Sequence, residues 1–155
     1  MKKMFLACLF ASMLLGICSC ELETSENGDL DGFWHLESVD TLATGGVRDY
    51  SNQHIFWAVE HKLISISDQE TFNGFRGYWA RFNQTGDSLV LTSLYRNHWH
   101  ENFGSIGGDI PVVEINDTLR RCGINHLVEG YRKEKLSGSK MVLVTDDLRL
   151  RFTKF

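Results

Sequence analysis

The chain has 155 residues, 43% of them hydrophobic and 12% aromatic, and a formal net charge of −4 at pH 7. This length suits one domain with a single sizeable hydrophobic core. A mildly acidic chain without a basic stripe is a poor binder of nucleic acid, so we predict no nucleic-acid partner.

The first predicted element is an export signal. Met1, Lys2 and Lys3 form a basic start, and residues 4–17 are almost all apolar. This run is too short to span a bilayer, which takes roughly 20 residues. A basic start followed by a short apolar core is typical of a secretory signal peptide, which we assign to residues 1–19.

The end of this signal, Ile17-Cys18-Ser19-Cys20, resembles a bacterial lipobox. Cys20 fits because a small residue precedes it and an aliphatic residue stands three before it. Cys18 fits poorly, because Ile17 would occupy the small-residue position. The resemblance implies that Cys20 becomes the acylated N-terminus and anchors the protein in a bacterial outer membrane. The sequence does not distinguish the periplasmic face of that membrane from the cell surface. Two or three acyl chains make a lasting anchor, since each buried methylene contributes about 0.8 kcal/mol.

Residues 20–31 are polar, acidic and without a period, so we predict a lipidated cysteine followed by a flexible tether. Cys122 is then the one thiol left in the mature domain, which excludes an internal disulfide. We expect this thiol to be buried and to pack as a small hydrophobe.

From Gly32 onward the sequence favours strands. Short apolar or alternating runs rich in β-branched and aromatic residues are separated by turn residues. Several connections are short, which is typical of antiparallel neighbours. We therefore predict an all-β fold, an eight-stranded antiparallel meander barrel over residues 32–155. The predicted strands are residues 33–40, 54–60, 62–67, 75–83, 88–95, 127–136, 140–145 and 148–155.

Gly32-Phe33-Trp34 at the head of the first predicted strand resembles the Gly-x-Trp signature of lipocalins. The pattern of residues 140–155 is similar to the lipocalin-like lipoproteins of Bacteroidetes. The resemblance implies that Trp34 closes the floor of the barrel and that a basic residue of the last strand packs across it. Arg149 and Arg151 are the candidates for that structural role, by cation–π contact.

Two long segments interrupt the meander. Residues 41–53 lie where lipocalins carry a loop over the barrel mouth. Residues 96–126 form an insertion between the fifth and sixth predicted strands, with a short helical turn predicted at residues 116–122 and ended by Gly123. Segments of this length are usually functional or disordered.

Aromatic residues are concentrated on the middle strands and the insertion. They either fill a small barrel or line an apolar pocket with a few polar groups, and the sequence leaves both alternatives open. If there is a pocket, we predict that its ligand-binding residues are Trp57, Trp79, Arg81, Tyr95, Trp99 and Phe103.

Catalytic patterns are weak in this sequence. There is no Gly-x-Ser-x-Gly motif and no phosphate-binding loop. His98 and His100 have the spacing of some zinc ligands, but two ligands do not make a site. We therefore predict that the protein is not an enzyme and that it binds no metal and no cofactor. The favoured function is a membrane-anchored, lipocalin-like protein that binds a small hydrophobic or amphipathic molecule. The alternative is a non-catalytic envelope structural or interaction lipoprotein with a filled barrel, and a metal-assisted enzyme ranks last. Oligomeric state is left open.

Overall fold

The computed structural model describes residues 25–70, 77–98 and 109–155. The predicted signal peptide and Cys20 lie outside this part of the chain. A 3-10 turn comes first, at Gly28–Leu30. The strands are, in chain order, β1 (Gly32–Thr41), β2 (Gly46–Asp49), β3 (Ile55–Glu60), β4 (Leu63–Asp68), β5 (Tyr78–Gln84), β6 (Ser88–Arg96), β7 (Ile110–Pro111), β8 (Glu129–Leu136), β9 (Lys140–Val144) and β10 (Leu148–Lys154). One short helix, α1 (Asp117–Arg121), lies between β7 and β8.

Eight of these strands close into an antiparallel barrel. Its order is β1-β3-β4-β5-β6-β8-β9-β10, and β10 pairs back onto β1. The predicted eight-stranded meander barrel is thus confirmed, and so is the helical turn in the insertion. No helix in the described ranges is long and apolar enough to cross a bilayer. We call the end where β1 begins the floor and the end where β1 finishes the mouth.

Two short strands were not predicted from the sequence. β2 pairs with the mouth half of β1, from Ser38↔Asp49 to Thr41↔Gly46, in line with β3. β7 pairs with the last two residues of β6, in line with β8. All four residues of β2 are exposed, so no alternation of apolar and polar side chains marks it. Both strands are held by backbone hydrogen bonds that sequence patterning does not reveal.

Alternation along the strands fills the barrel interior. On β3, the side chains of Ile55, Trp57 and Val59 point inward and are at most 3% exposed. Side chains of this kind from all eight barrel strands form one apolar cluster. The largest fully buried side chains are those of Trp34, Trp57, Tyr131 and Phe152.

The floor of the barrel is built around Trp34, which is fully buried. Its indole Nε1 donates a hydrogen bond of 2.8 Å to the carbonyl of Leu30 in the 3-10 turn. The ammonium of Lys154 lies 4.7 Å from the centre of the Trp34 ring and donates to the carbonyl of Asp29. Gly32 has φ +130°, and a Cβ there would lie 2.9 Å from Lys154 Cε. The backbone angle therefore requires glycine at this position, and a side chain there would also displace the lysine stem.

The basic partner of Trp34 is Lys154, which corrects the prediction of Arg149 or Arg151. Trp34 is directly opposite Lys154 in the pairing of β1 with β10. Arg149 and Arg151 point to the other face of β10, where they form ion pairs with Glu134 and Asp40. Successive side chains of a strand point to opposite faces, so only even-numbered residues of β10 can face an inward tryptophan.

The predicted tether is shorter than expected, because its second half belongs to the fold. Leu30 is fully buried. The Asn27 side chain donates to Ser25 Oγ, to Asp31 Oδ1 and to the carbonyl of His61. The barrel domain therefore includes residues 25–31, and the remainder of the predicted tether lies outside the described residues.

Candidate functional site

The mouth of the barrel is covered by part of the insertion, residues 109–126, which we call the mouth segment. It runs along β6 as β7, turns through α1 and leads into β8. In the described ranges, no other part of the chain inserts a helix between barrel strands. Ligand sites of β-barrels are found at the barrel mouth, so this segment lies where it would control access to the interior.

Local sequence explains the shape of α1. The side chain of Asn116 caps its start by accepting a hydrogen bond of 3.0 Å from the Leu119 amide. At its end, the amides of Gly123 and Ile124 bond back to the carbonyls of Arg120 and Leu119. These two bonds make a Schellman motif, which needs a residue of positive φ, and Gly123 has φ +86°.

Apolar residues seat the mouth segment in the barrel. Leu119, Cys122 and Ile124 are fully buried and belong to the barrel core. A Cβ on Gly123 would lie 2.2 Å from Leu150 Cδ2, so the backbone itself packs against β10. Burial raises the pKa of the Cys122 thiol well above its ordinary value. The expectation that Cys122 is buried and packs as a small hydrophobe is confirmed.

A buried ion pair ties the mouth segment to the opposite side of the barrel. Asp68, at the end of β4, is fully buried, and its Oδ2 accepts a bond of 2.8 Å from Arg121 Nε. Arg121 also donates to Gln53 Oε1 at 2.8 Å, and its guanidinium lies 5.6 Å from the centre of the Tyr50 ring. The hydrogen bond to Asp68 raises the pKa of Arg121. Three elements therefore meet at one arginine.

Two tyrosines carry further contacts from the barrel to the mouth segment. Asn116 Nδ2 donates to the Tyr78 hydroxyl at 2.7 Å. The buried hydroxyl of Tyr131 donates to the Gly123 carbonyl at 2.9 Å. At the far end, the buried carboxylate of Glu129 accepts from the amides of Asn125 and His126. The segment is held by both apolar and polar contacts along its length.

Beneath this cover lies an unpaired hydrogen-bond donor. Trp57 is fully buried, and its Nε1 has no hydrogen-bond partner among the described residues. Its ring contacts Tyr131 edge-on at 5.8 Å between centroids, and Phe152 at 5.2 Å. An unsatisfied buried donor costs about 1–3 kcal/mol, so it marks a place that suits an acceptor. Through Tyr131 this indole is one side chain away from Gly123 of the mouth segment.

Comparison with known proteins agrees with this geometry. The family profile of the lipocalin-like domain matches residues 13–155. The chain belongs to this family. A crystal structure of a lipocalin-like protein from Bacteroides uniformis is similar, with TM-score 0.58 and 18% identity over 83% of this chain and 100% of that one. An uncharacterized protein from Bacteroides eggerthii is also similar, with TM-score 0.53 and 15% identity over 81% of this chain and 98% of that one. No curated protein matches the sequence.

The lipocalin-like barrel divides the predicted ligand-binding residues between its two faces. Trp57 points inward. Trp79, Arg81 and Tyr95 lie on the outer face, where Trp79 is directly opposite Tyr95 and Arg81 is opposite Ser93. Trp99 and Phe103 lie outside the described residues. The described members of the set therefore do not line one pocket, and ligand binding by each of them stays a prediction.

Sequence reasoning missed Asp68, Arg121 and Tyr131, which hold the mouth of this lipocalin-like domain. The alternation of inward and outward residues along a strand could have identified two of these residues as buried. Asp68 continues the inward series of Ile64 and Ile66, and Tyr131 is an inward residue of the sixth predicted strand. A charged residue on an inward position needs a partner, but nothing in the sequence named Arg121, which is 53 residues away from Asp68.

Metal-ligating side chains do not gather in the described residues, where no group of three or more His, Cys, Asp or Glu could hold an ion. The amide of His98 donates to Asp109 Oδ1 at 3.3 Å. His100, the other half of the predicted pair, lies outside the described ranges.

Proposed function

We propose that this lipocalin-like protein is a non-catalytic binding module that takes a small hydrophobic or amphipathic molecule into the barrel beneath the mouth segment. The family membership supports small-molecule binding in general. The finer claim rests on one observation, the unpaired Nε1 of the buried Trp57. A ligand with one hydrogen-bond acceptor and an apolar body would satisfy that donor and bury its body against Trp57, Tyr131 and Phe152.

Binding of this kind needs the mouth segment to move, because side chains occupy the interior. The segment contributes three fully buried side chains, Leu119, Cys122 and Ile124. Burial of the leucine and of the isoleucine each contributes roughly 1.5–3 kcal/mol to stability. A ligand that buries a comparable apolar area replaces these contacts, at about 25 cal/mol per Å². The mechanism is burial without a covalent step.

A fluorescence titration tests this proposal. The titration uses residues 21–155, which include every described contact of the barrel. We expect long-chain fatty acids or apolar dyes to bind the wild type, and Trp57→Phe, which removes the N–H, to weaken binding of acceptor-bearing ligands about 5- to 10-fold, the effect of one lost hydrogen bond. Trp79→Phe, on the outer face, is the matched control and should bind like the wild type. Equal affinities for all three proteins would contradict the role of Trp57.

We further propose that the protein is lipidated at Cys20 and sits in the bacterial outer membrane. The lipobox resemblance of Ile17-Cys18-Ser19-Cys20 supports this. The full chain should incorporate labelled palmitate in a bacterial host and fractionate with membranes, whereas Cys20→Ala should incorporate none. Incorporation that persists in Cys20→Ala but is lost in Cys18→Ala would move the anchor to the other cysteine.

A second candidate function is an envelope interaction protein with a filled barrel. It is favoured by the four large buried side chains of Trp34, Trp57, Tyr131 and Phe152. An open cleft of about 910 Å³ also runs along β6, β8 and the β9–β10 turn, and the half-exposed Leu42 and the exposed Val128 line it. Failure of every apolar ligand in the titration would favour this alternative, in which a partner binds the outer surface.

A further inference from the structure

Three phenylalanines form an aromatic cluster on the outside of the barrel at the floor end. Phe33 and Phe56 stack with centroids 4.6 Å apart and an interplanar angle of 14°. Phe155 meets both rings edge-on, at 6.0 and 5.8 Å. Phe155 is 87% exposed and Phe33 is 40% exposed, whereas Phe56 lies buried beneath them. We call this group the floor cluster.

The floor cluster belongs to the rim from which the N-terminal segment leaves the barrel. Gly32 and Phe33 begin β1, and the amide of Phe155 donates to the carbonyl of Phe33. Leu63, which is 41% exposed, starts β4 at the same end. Exposed charges of both signs also lie at this end, among them Glu60, Lys62 and Lys140. Among the described residues, the exposed apolar surface of this rim is largely aromatic, whereas that of the mouth is aliphatic, with Leu42, Val47 and Val128.

The chain between Cys20 and the barrel is too short to let the molecule turn over. Ser25 is fixed at the floor, where its hydroxyl donates to Asp31 at 3.1 Å and Asn27 bonds to the β3–β4 turn. Five residue steps separate Cys20 from Ser25, and they reach at most about 18 Å when fully extended.

The height of the barrel exceeds that reach. β1 has ten residues and runs from floor to mouth. At about 3.3 Å per residue and a tilt of 35–45°, it rises about 25 Å before the loops at the mouth are added. A lipid on Cys20 can therefore bring the floor to a bilayer, but it cannot bring the mouth there.

We propose that the floor cluster docks on the membrane surface, with Phe33 and Phe155 in the interface between headgroups and acyl chains. The proposal rests on the proposed lipidation of Cys20. The short tether presents the floor cluster to the bilayer, and burial of its exposed rings holds the barrel upright. The mouth then faces the aqueous side, so a ligand reaches it through water or from a carrier and does not slide in from the supporting leaflet.

The test compares the two ends of strand β9. Ser139 lies in the turn before β9, and its carbonyl accepts from the amide of Lys154, next to the floor cluster. Asp146 lies in the turn after β9, at the mouth, and both residues are exposed. Single S139C and D146C variants of the full lipidated chain are labelled with an environment-sensitive fluorophore. Cys122 is fully buried and does not compete for the label.

The labelled proteins are reconstituted into phosphatidylethanolamine–phosphatidylglycerol vesicles that carry a nitroxide headgroup lipid. We expect the label at position 139 to be quenched several-fold more than the label at 146, at low and high salt alike. Adding Phe33→Ser and Phe155→Ser should lower the quenching at position 139 several-fold while the protein still floats with the vesicles, because the tether alone keeps the floor near the bilayer without holding it against the surface. Leu42→Ser and Val47→Ser, at the mouth, are the matched control and should leave the difference intact.

Each other outcome overturns a defined part of the proposal. Protein that floats with the vesicles but is quenched equally at both positions, or more at 146, overturns floor docking and leaves lipidation standing. Quenching at position 139 that is undiminished after removal of both phenylalanines overturns the role of the floor cluster. Protein that does not float at all overturns the lipidation of Cys20, and floor docking with it.

Discussion

At the scale of single residues, the floor shows why a short motif specifies a barrel end. Gly32, Trp34 and Lys154 form one unit, because the glycine leaves room for the lysine stem and the lysine covers the indole. The sequence predicted the role of Trp34 but assigned the wrong basic residue. On the last strand, the apolar residues Leu150 and Phe152 alternate with the two arginines. The partner of an inward tryptophan must lie on the same face as Phe152, so the sequence already excluded the arginines.

Removal of the floor tryptophan tests this unit. Trp34→Ala should lower the free energy of unfolding by about 3–5 kcal/mol, because it empties a fully buried site. Chemical denaturation measures the loss. Trp79→Ala, on the outer face, is the control and should cost much less. A near-silent Trp34→Ala would contradict the account of the floor.

The glycine of the motif gives a second, independent test. Gly32→Ala should destabilise by about 1–3 kcal/mol, because an alanine at φ +130° is strained and its Cβ meets Lys154. Gly130→Ala is the matched control, since a Cβ there meets open space, and it should stay within about 0.5 kcal/mol of the wild type. Thermal unfolding of both variants decides, and equal effects would remove the special status of Gly32.

At the scale of elements, the sequence predicted where the helix of the mouth segment lies along the chain, but not how the segment packs against the barrel. The turn residues Asn116 and Gly123 predicted where α1 begins and ends, because capping is local. Its seat depends on contacts distant in sequence, such as that between Arg121 and Asp68, and no periodicity encodes these. β2 escaped prediction for a related reason, since its side chains are all exposed.

Loss of the buried ion pair should loosen the mouth segment. Arg121→Met removes the guanidinium that bonds to the fully buried carboxylate of Asp68, which should cost about 3 kcal/mol, the lower end of the range for a broken buried pair because Arg121 is one-third exposed. The thiol of Cys122, next in the chain, reports the opening: its reaction with a thiol reagent should accelerate. Arg120→Met, whose ion pair with Asp117 is exposed, is the control and should react like the wild type. Unchanged reactivity in Arg121→Met would mean that the ion pair does not hold the segment.

Because the pKa of the Cys122 thiol is raised on folding, we expect the stability of the protein to depend on pH. Burial raises the pKa of Cys122 in the folded protein, whereas the unfolded thiol titrates near its ordinary value of 9.0. Below that value both states hold the proton and the thiol has no effect. Above it only the unfolded state releases the proton, so stability falls as pH rises, by up to about 1.4 kcal/mol per unit.

The ordinary pKa of a cysteine thiol is 9.0 and that of a tyrosine hydroxyl is 10.0. Denaturation curves between pH 9 and 10 therefore separate the contribution of Cys122 from that of the buried Tyr131, whose pKa is also raised. Cys122→Ala should flatten the slope in this interval. An unchanged slope in that variant would assign the loss of stability to other groups.

At the scale of the whole molecule, antiparallel barrels of this kind are predictable because their strands follow one another and their turns are short. The eight barrel strands were therefore anticipated with small shifts, such as a sixth predicted strand that begins at Glu129 instead of residue 127. The ligand site was less predictable. Around Trp57 and Trp79 both strand faces are apolar, so alternation alone did not separate the inward indole from the outward one.

The central claim is that the barrel interior receives a ligand. Native mass spectrometry of residues 21–155, purified from a bacterial host and followed by organic extraction, tests it most directly. We expect a small-molecule adduct that leaves on extraction and is depleted in Trp57→Phe but retained in Trp79→Phe. A bare mass in all three proteins, together with no binding of added fatty acids or apolar dyes, would contradict the claim and identify the barrel as a filled scaffold whose function lies on its surface.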